Sequence, residues 1–426
     1  MRVSRTIRRP DVFICARCKY RRTYSTAVNL PPAPPASGIA QLSDRRLISL
    51  SGIDAGKFLQ GLTSNNVTAA NPPRGWYSGF FTADGKVLYD TFVYRVGWSK
   101  KWKEWLGANN AGQEEYAYFI EVDAKEVAGL SKHLKRYKLR SKIDIRVIEN
   151  DEWAIWAAWR KNVKEQAPIV DAAAAASTGT SPELEQQLAP SPQDDIILPD
   201  PRVPGFGDRL VLPADMSPKS LAPFEELDQT TIDSYTIRRY LTGIPEGQSE
   251  IPPATTLPLK LNMDYMSGIH FRKGCYVGQE KTHMTKFKGV SAERVLPVQL
   301  YPEPGSPEKQ ASPPNFQSYD PSWDNVINPP VNTVIKRTDA DVKSRNSPGR
   351  WIAGIGNIGL AMCRLEMMTD VKLTVDSIST MWKPGTEFGM KWIENGGQEK
   401  TVRVKAFVPE WHKPHMGIRE PPRRVQ

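Results

Sequence analysis

Hydrophobic positions in the first part of the chain switch between the spacing of a helix and that of a strand. The apolar residues of 58–62 follow Asp54 at helical spacing, so we expect a short helix with Asp54 as its N-cap. Asp84-Gly85 lies between two apolar runs, Phe80-Phe81 and Val87-Leu88-Tyr89, and this arrangement predicts a β-hairpin. This part of the chain should therefore hold a helix followed by two paired strands.

The same alternation continues to about residue 160. Residues 117–122 are predicted to form a strand, and apolar residues recur at helical spacing through 127–137. Residues 143–147 and 153–159 alternate as two further strands. A strand, a helix and two strands in succession indicate an α+β fold.

Two stretches of biased composition interrupt the pattern. Residues 161–195 are rich in Ala, Ser, Pro and Gln, and residues 302–329 are rich in Pro and Ser. Such compositions offer few side chains for a core, so we predict two disordered surface insertions. Between them, 232–241 is predicted to be a helix that stops at Gly243.

The end of the chain has a different pattern, made of short strand-like runs. They occupy residues 331–335, 371–375 and 402–407. Short strands of this kind, without intervening helices, favour a small all-β domain.

The net charge of +10 is concentrated at the start of the chain. Residues 1–24 hold eight Arg or Lys residues and one acid, Asp11, which leaves +3 for the remainder. A basic, acid-poor start is typical of a mitochondrial transit peptide, here with a cleavage site near Ser25 and a linker over 25–37. The alternative is a basic tail that binds acidic surfaces. Nucleic acid is not an expected partner, because the tryptophans lack interleaved basic residues, and no apolar run approaches the ~18 residues of a membrane span.

Cysteine usage narrows the candidate chemistry. Cys15 and Cys18 have the spacing of a redox or metal pair, but they lie in the segment expected to be removed. Cys363 lies among apolar residues and is predicted to be a core residue. The remaining cysteine, Cys275, has glycines close to it on both sides and Arg272, Lys273 and Lys281 nearby. Cations favour the thiolate that binds metals or attacks disulfides, although a turn with a buried cysteine is the alternative interpretation.

The stretch around Cys275 also carries a resemblance to a known family. It reads Lys273, Gly274, Cys275, Tyr276, Val277, Gly278, Gln279 and Glu280. This stretch resembles the signature of the YgfZ-type folate-fold family, whose mitochondrial branch acts late in iron–sulfur cluster assembly, on four-iron clusters. Other segments resemble the family in the same order along the chain: 51–55, 58–65, 77–80, 84–90, 200–207, 243–247 and 359–362.

The resemblance implies a fold, a place and a function. It implies a three-lobed, GcvT-like folate-binding fold over 38–290 with a ferredoxin-like insertion, then a β-barrel over 291–415 and a tail over 416–426. It implies a factor of the mitochondrial matrix that delivers [4Fe–4S] clusters to aconitase-type and lipoyl-synthase-type enzymes, with A-type scaffold proteins as partners. Cys275 would supply a thiolate ligand or a transient thiol exchange. One cysteine cannot hold a cluster alone, so the other ligands of the transient cluster would come from a partner.

The rival interpretation is a folate-dependent aminomethyltransferase, to which the family is related. That enzyme holds folate partly through carboxylates, and this chain has Leu241 and Lys260 at the matching positions. Leucine accepts no hydrogen bond and lysine only donates, so neither can bind the donors of a pterin edge. Asn262 and Asp264 remain as candidate contacts for tetrahydrofolate, with turn formation as the alternative. A non-catalytic folate-binding module is the third class, and whether the chain is an enzyme stays open.

Three further patterns bear on ligand chemistry. Residues 354–359 match a dinucleotide fingerprint, but no strand–helix–strand unit surrounds them, so a glycine-rich strand connection is expected. His412 and His415 could pair on a metal, but they lie near the C-terminus without a thiol close by, so a surface tail is the expected alternative. His270 and His283 bracket Cys275 in sequence.

Overall fold

The computed structural model describes residues 30–69, 73–107, 116–161, 195–287, 291–303, 313–315, 317–323, 328–338, 347–373, 382–394 and 397–416. The predicted transit peptide, with Cys15 and Cys18, lies outside these residues. So do residues 162–194 of the first predicted insertion, parts of the second, and 417–426 of the tail. The expectations for those segments stay predictions.

Helices are interspersed among the strands up to residue 287, and strands predominate after it. The strands are β1 (Gly38–Gln41), β2 (Arg45–Ser51), β3 (Gly75–Phe81), β4 (Val87–Arg95), β5 (Ala117–Asp123), β6 (Asp144–Val147), β7 (Trp153–Trp159), β8 (Ile196–Pro199), β9 (Asp208–Pro213), β10 (Gln229–Thr230), β11 (Glu293–Tyr301), β12 (Val334–Arg337), β13 (Gly349–Ile355), β14 (Ile358–Arg364), β15 (Phe388–Ile393) and β16 (Glu399–Ala406). The α-helices are α1 (Ala55–Leu62), α2 (Lys100–Gly107), α3 (Val127–Lys138), α4 (Ile232–Thr242), α5 (Gln279–Phe287) and α6 (Leu365–Met368). The predicted α+β class is confirmed.

The first sheet has the order β3-β4-β5-β2-β6, with all neighbours antiparallel. Strands β4, β5, β2 and β6 have the order of a ferredoxin-like sheet, and β3 extends one edge. Apolar residues of α1 and α3 pack on this sheet in one core cluster with Ile48, Phe80 and Ile120. The hairpin predicted at Asp84-Gly85 is confirmed, and Gly85 has the positive φ of 77° that the turn requires.

The second sheet has the order β10-β1-β7-β9-β8. A large apolar core draws side chains from both sheets, from α4 and from the loop that precedes Cys275. The helix predicted at 232–241 is confirmed as α4, and it ends at Gly243 with a left-handed φ of 83°.

Strands β11 to β16 close into a barrel of order β11-β14-β13-β12-β15-β16. Cys363 faces its core and is fully buried, as predicted. The 354–359 motif is the β13–β14 hairpin, with Gly356 at its turn. A Cβ on Gly354 or Gly359 would meet the Trp351 ring, so both glycines serve packing inside the barrel.

Charged side chains fill the space where the first two sheets meet. We call this set the buried charge network: Arg45, Asp90, Glu121, Asp200, Arg202, Arg209, Arg239, Glu246 and Glu250. Its arginines are paired throughout. Arg45 donates to Glu121 at 2.8 Å, and Arg239 binds both oxygens of Glu250 at 2.9 Å. Burial raises the pKa of Glu246, but Arg209 and Arg202 outweigh it and hold that pKa well below its usual range.

Three expectations about local structure differ from what the structure contains. Asp54 does not cap α1, because its carboxylate accepts the backbone N–H of Lys142 at 2.7 Å instead. Residues 371–373, within a predicted strand, pair with no strand. Tyr319, within the second predicted insertion, packs on the core and donates to the Pro31 carbonyl at 2.6 Å. Pro- and Ser-rich composition alone does not reveal such anchoring by distant partners.

Among the described residues, no helix has the length and apolarity needed to cross a membrane.

Candidate functional site

The candidate site is the turn that carries Cys275, between the loop after Ile269 and the start of α5. Cys275 is exposed, whereas Tyr276 and Gly278 beside it are buried. The backbone N–H of Val277 donates to the Gly61 carbonyl in α1 at 3.2 Å. The turn is thus bound to α1 on its buried side, while its thiol is exposed on the other side.

Lys273 is the main anchor of this turn. It is 6% exposed, and its Nζ donates to the carbonyls of Gln60 (2.8 Å), Thr63 (2.6 Å) and Asn65 (2.8 Å). These carbonyls lie at and just beyond the C-terminal end of α1, where a cation also complements the helix dipole. Burial lowers the pKa of the Lys273 ammonium to about 7, while the three carbonyl oxygens favour its protonated form.

The role of Lys273 therefore differs from the one expected from the sequence. Its ammonium is engaged by three backbone carbonyls rather than left as a free cation beside the thiol. Arg272 and Lys281, the other two cations of that expectation, are exposed. Lysine at this position fixes the path of the chain that presents Cys275.

The two glycines of the turn have unequal roles. Gly278 has a φ of +83°, and a Cβ there would lie 2.5 Å from the Thr82 carbonyl oxygen and 3.1 Å from the Cα of Gly85. Only glycine allows this close approach to the β3–β4 hairpin. Gly274 has no positive φ, and nothing lies within 4 Å of its Cβ position. The fold needs Gly278, whereas Gly274 borders open space next to the thiol.

The other signature residues support the turn to different degrees. The Tyr276 ring lies under the Lys273 ammonium at 4.8 Å and packs near Phe81, and burial raises the pKa of its hydroxyl. Gln279 begins α5 and is half-buried, with its Nε2 3.4 Å from the Lys273 carbonyl. Glu280 is exposed.

Asn262 and Asp264 lie before the turn, and both contact the barrel. Asn262 Nδ2 donates to the Val295 carbonyl at 2.8 Å. The Asp264 carboxylate accepts from Arg294 at 2.9 and 3.2 Å and from Lys286 at 3.3 Å, and its side chain is fully buried. Their polar atoms are committed to links within the protein.

Leu241 and Lys260 are likewise occupied. Leu241 packs against the large core, and Lys260 Nζ pairs with Glu293 at 2.6 Å. Neither offers an acceptor to a pterin.

The histidines and the second cysteine do not gather at Cys275 into a ligand set. Burial lowers the pKa of both His270 and His283, so both are neutral at physiological pH. Cys363 is buried in the barrel, where desolvation raises the pKa of its thiol. His412 stacks edge-on against Trp411, at the barrel end of the chain. Within the described ranges, no three His, Cys, Asp or Glu side chains are grouped to hold a metal ion.

Sequence reasoning assigned no role to the segment just after α1. Ser64 Oγ donates to the Gly268 carbonyl at 2.6 Å, and Asn65 Nδ2 donates to the Ser267 carbonyl at 2.8 Å. Together with the carbonyls that bind Lys273, this segment holds both ends of the loop before Cys275. The family resemblance includes both residues 58–65 and residues 273–280. Their occurrence in the same family pattern was the one sequence signal that these segments act together.

A family model matches the C-terminal part of the chain. It is described as the CAF17 C-terminal beta-barrel domain, and it matches residues 294–414. The match coincides with the closed barrel of β11 to β16.

Similar proteins cover nearly the whole chain. Proteins named mitochondrial iron–sulfur cluster assembly factor IBA57 homolog are 40% identical in Neurospora crassa, over 94% of this chain and 88% of that protein, and 39% identical in Aspergillus fumigatus, over 97% and 92%. The crystal structure of glycine cleavage system aminomethyltransferase T from Bartonella henselae superposes with a TM-score of 0.52 at 14% identity, covering 88% of this chain and 85% of that one. At this identity the structural likeness establishes the fold alone, as the GcvT-like prediction expects.

Proposed function

Because the chain belongs to the family of mitochondrial iron–sulfur cluster assembly factors of the IBA57 type, we propose that it acts late, passing [4Fe–4S] clusters to matrix enzymes. Clients of the aconitase and lipoyl-synthase types, and A-type scaffold proteins as donors, are the partners that the sequence resemblance implies. In this proposal Cys275 binds the cluster while it is shared with a partner.

The observation that carries the proposal is the exposure of Cys275 on an otherwise anchored turn. Buried contacts of Lys273 and Gly278 hold the backbone on both sides of Cys275, and the thiol between them is exposed. A soft thiolate is the usual protein ligand of iron–sulfur clusters. The thiol gives up its proton when it binds iron.

The remaining cluster ligands are assigned to the partner. The described residues hold no group of three metal-binding side chains, and Cys363 lies in the barrel core. A single exposed thiolate suits a cluster that is held briefly between two proteins, since neither side then binds it permanently.

The folate-dependent alternatives find little support in these residues. Leu241 packs in the core, Lys260 pairs with Glu293, and Asp264 is buried against Arg294. The donor set does not fit a pterin, so we derive no step through tetrahydrofolate. Calorimetric titration of the purified protein with tetrahydrofolate should give no binding heat, and measurable aminomethyl transfer would restore the transferase interpretation.

The direct test is rescue of cells that lack the gene. Cys275→Ser should fail to restore aconitase-type activity and protein lipoylation while two-iron enzymes stay active, because a hydroxyl barely ionises at neutral pH and binds iron poorly. Cys363→Ser at equal abundance is the matched control and should rescue. Full rescue by Cys275→Ser would overturn the assignment of Cys275.

A second experiment separates cluster ligation from thiol exchange. Anaerobic reconstitution with a purified A-type scaffold protein should give cluster absorbance in the complex that disappears with Cys275→Ser. Thiol exchange would instead leave a reducible covalent adduct at Cys275, which mass spectrometry detects without any cluster absorbance.

A further inference from the structure

A groove opens on the surface beside the N-terminal half of α1. It has a volume of about 660 Å³ and is lined by Asp54, Lys57, Phe58, Leu139, Arg140 and Ser141. We call it the α1 groove. Its walls come from the first turn of α1 and from the loop that follows α3, so two parts of the chain far apart in sequence form it.

The groove lies in the most basic part of the folded chain. Residues 125–142 carry seven cations and one acid, a net charge of +6, whereas the whole chain after residue 24 has a net charge of +3. Six of these seven cations are exposed, as is Lys57. None of these side chains forms a salt bridge with another side chain in the part of the chain that the structure describes. Positive charge therefore exceeds negative charge around the groove, since Asp54 is the one acid in the groove lining.

Leu139 presents an apolar side chain at the edge of this basic surface. It is 87% exposed and has a φ of +43°, at a helix end where glycine is the usual residue. Ile53, next to Asp54, is 68% exposed. An exposed leucine in a disfavoured backbone conformation gains nothing from packing within its own chain, and its side chain is available for a contact with another molecule.

A hydrogen bond links the two walls of the groove and fixes their relative position. Asp54, which the sequence predicted as the cap of α1, accepts the N–H of Lys142 at 2.7 Å instead. The backbone N–H of Phe58 donates to the main-chain carbonyl of Asp54 at 2.8 Å, which joins the backbone of Asp54 to the first turn of α1. A ligand would thus meet a formed site and would not have to order it.

We propose that the α1 groove binds an acidic segment of a partner protein, with a large apolar side chain of that segment seated between Leu139 and Phe58. Charge complementarity selects an acidic ligand, and the apolar pair Phe58 and Leu139 in a concave groove selects a side chain rather than a flat surface. An anionic membrane fits less well, because the apolar face of α3 is buried against the first sheet and cannot insert. Nucleic acid fits less well because the groove lining has one aromatic side chain, Phe58, and so offers no row of rings on which successive bases could stack.

The position of the groove relates the partner to Cys275. Helix α1 lines the groove with its first turn and accepts Lys273 with carbonyls at its C-terminal end. Its eight residues span about 12 Å. The groove and the anchor of the Cys275 turn are therefore at opposite ends of one short helix. That the partner docked in the groove is the protein that shares the cluster rests on the proposed function.

The test uses a labelled short peptide of glutamates around a central Leu-Phe pair, titrated into the full chain without iron and followed by fluorescence anisotropy. Lys57→Glu with Arg140→Glu should weaken binding about tenfold or more. The matched control, Lys103→Glu with Lys219→Glu, changes two exposed lysines without salt bridges elsewhere and should leave binding within about twofold. A peptide with alanines at the Leu-Phe pair should also bind about tenfold more weakly.

Leu139→Gly provides a second readout that does not depend on charge. It should weaken peptide binding without lowering the thermal midpoint, because glycine adopts the positive φ freely. Equal losses in the two double variants, Lys57→Glu/Arg140→Glu and Lys103→Glu/Lys219→Glu, or unchanged binding in the groove variants would overturn the inference. So would tighter binding of phosphatidylglycerol vesicles or an RNA oligonucleotide than of the peptide. Cys275→Ser should bind the peptide normally. If the parent chain binds the peptide but gives no cluster absorbance with the A-type scaffold protein, the proposed function alone is contradicted. If the parent chain gives cluster absorbance but does not bind the peptide, the groove alone is contradicted.

Discussion

The buried charge network and the Cys275 turn handle polar groups in opposite ways. In the network every arginine meets a carboxylate, as Arg202 meets Glu246 at 2.6 Å, and the pairs are closed off from solvent. In the turn, Lys273 is satisfied by backbone carbonyls, but the group beside it, the Cys275 thiol, is left exposed. The network holds many more charged groups than the turn, but these groups pair with one another.

The difference shows what marks a site in this molecule. Burying an ionic group costs desolvation free energy, which is offset only when the group is paired. We therefore assign the network a structural role. The turn is held in place by contacts that do not involve the thiol. Chemistry with a partner requires a reactive group that the fold holds in place and leaves without an internal partner. Within the described part of the chain, the Cys275 thiol is such a group.

The largest expected effect breaks the network. Glu246→Ala removes the acceptor of Arg202, Arg209 and Tyr235 and leaves two guanidinium groups buried without it. We expect a loss of about 3–5 kcal/mol in the free energy of unfolding, measured by urea denaturation. The matched control is Glu280→Ala, an exposed signature glutamate without a salt bridge among the described residues, which should change stability by less than about 0.5 kcal/mol. Similar losses in both variants would contradict the comparison.

The next effect concerns the glycines of the turn. Gly278→Ala places a Cβ 2.5 Å from the Thr82 carbonyl at a positive φ, so we expect a loss of about 2–3 kcal/mol. Gly274→Ala meets open space and should cost less than about 0.5 kcal/mol. Thermal denaturation of the two variants measures the difference, and an equal response would mean that the turn is not fixed by the β3–β4 hairpin.

A smaller loss is expected from the lysine anchor. Lys273→Met keeps most of the side-chain volume but removes three hydrogen bonds to carbonyls near the end of α1. The expected cost is about 1–2 kcal/mol, with faster amide hydrogen exchange in the turn. Lys281→Met, at an exposed position of the same region, is the control and should leave both readouts unchanged. An unaffected turn in Lys273→Met would remove its assignment as an anchor.

The smallest effect on stability is expected at the thiol itself. Cys275→Ser alters an exposed atom and should shift the thermal midpoint by no more than a few degrees, which corresponds to less than about 1 kcal/mol. Cys363→Ser buries a hydroxyl in the apolar barrel core and should cost about 1–3 kcal/mol. A larger loss for Cys275→Ser than for Cys363→Ser would show that the thiol is a packing group.

Local patterns in the sequence located much of the secondary structure. The helices α1, α3 and α4, the hairpin at Asp84-Gly85 and strands β5 to β7 follow from apolar periodicity and turn residues, because these signals act over a few neighbouring positions. Most barrel strands were not found, and 371–373 was misread, since short strands in a closed barrel carry weak periodicity. The exposure of Cys275 agreed with a glycine-rich turn, but only Gly278 has the left-handed backbone that such a turn implies.

The sequence by itself determined the class of fold, the family pattern and the cysteine on which the proposed chemistry rests. The tertiary structure decided what each neighbouring residue does with its polar atoms. Lys273 donates to the carbonyl of Gln60, which lies 213 positions away in the sequence, and the Asp264 carboxylate accepts from Arg294 of the barrel. Asp54 binds the chain after α3 rather than its own helix. Such partners come together only when distant segments pack, and the free energy of burying a polar group then compels each donor to find an acceptor that no local pattern specifies.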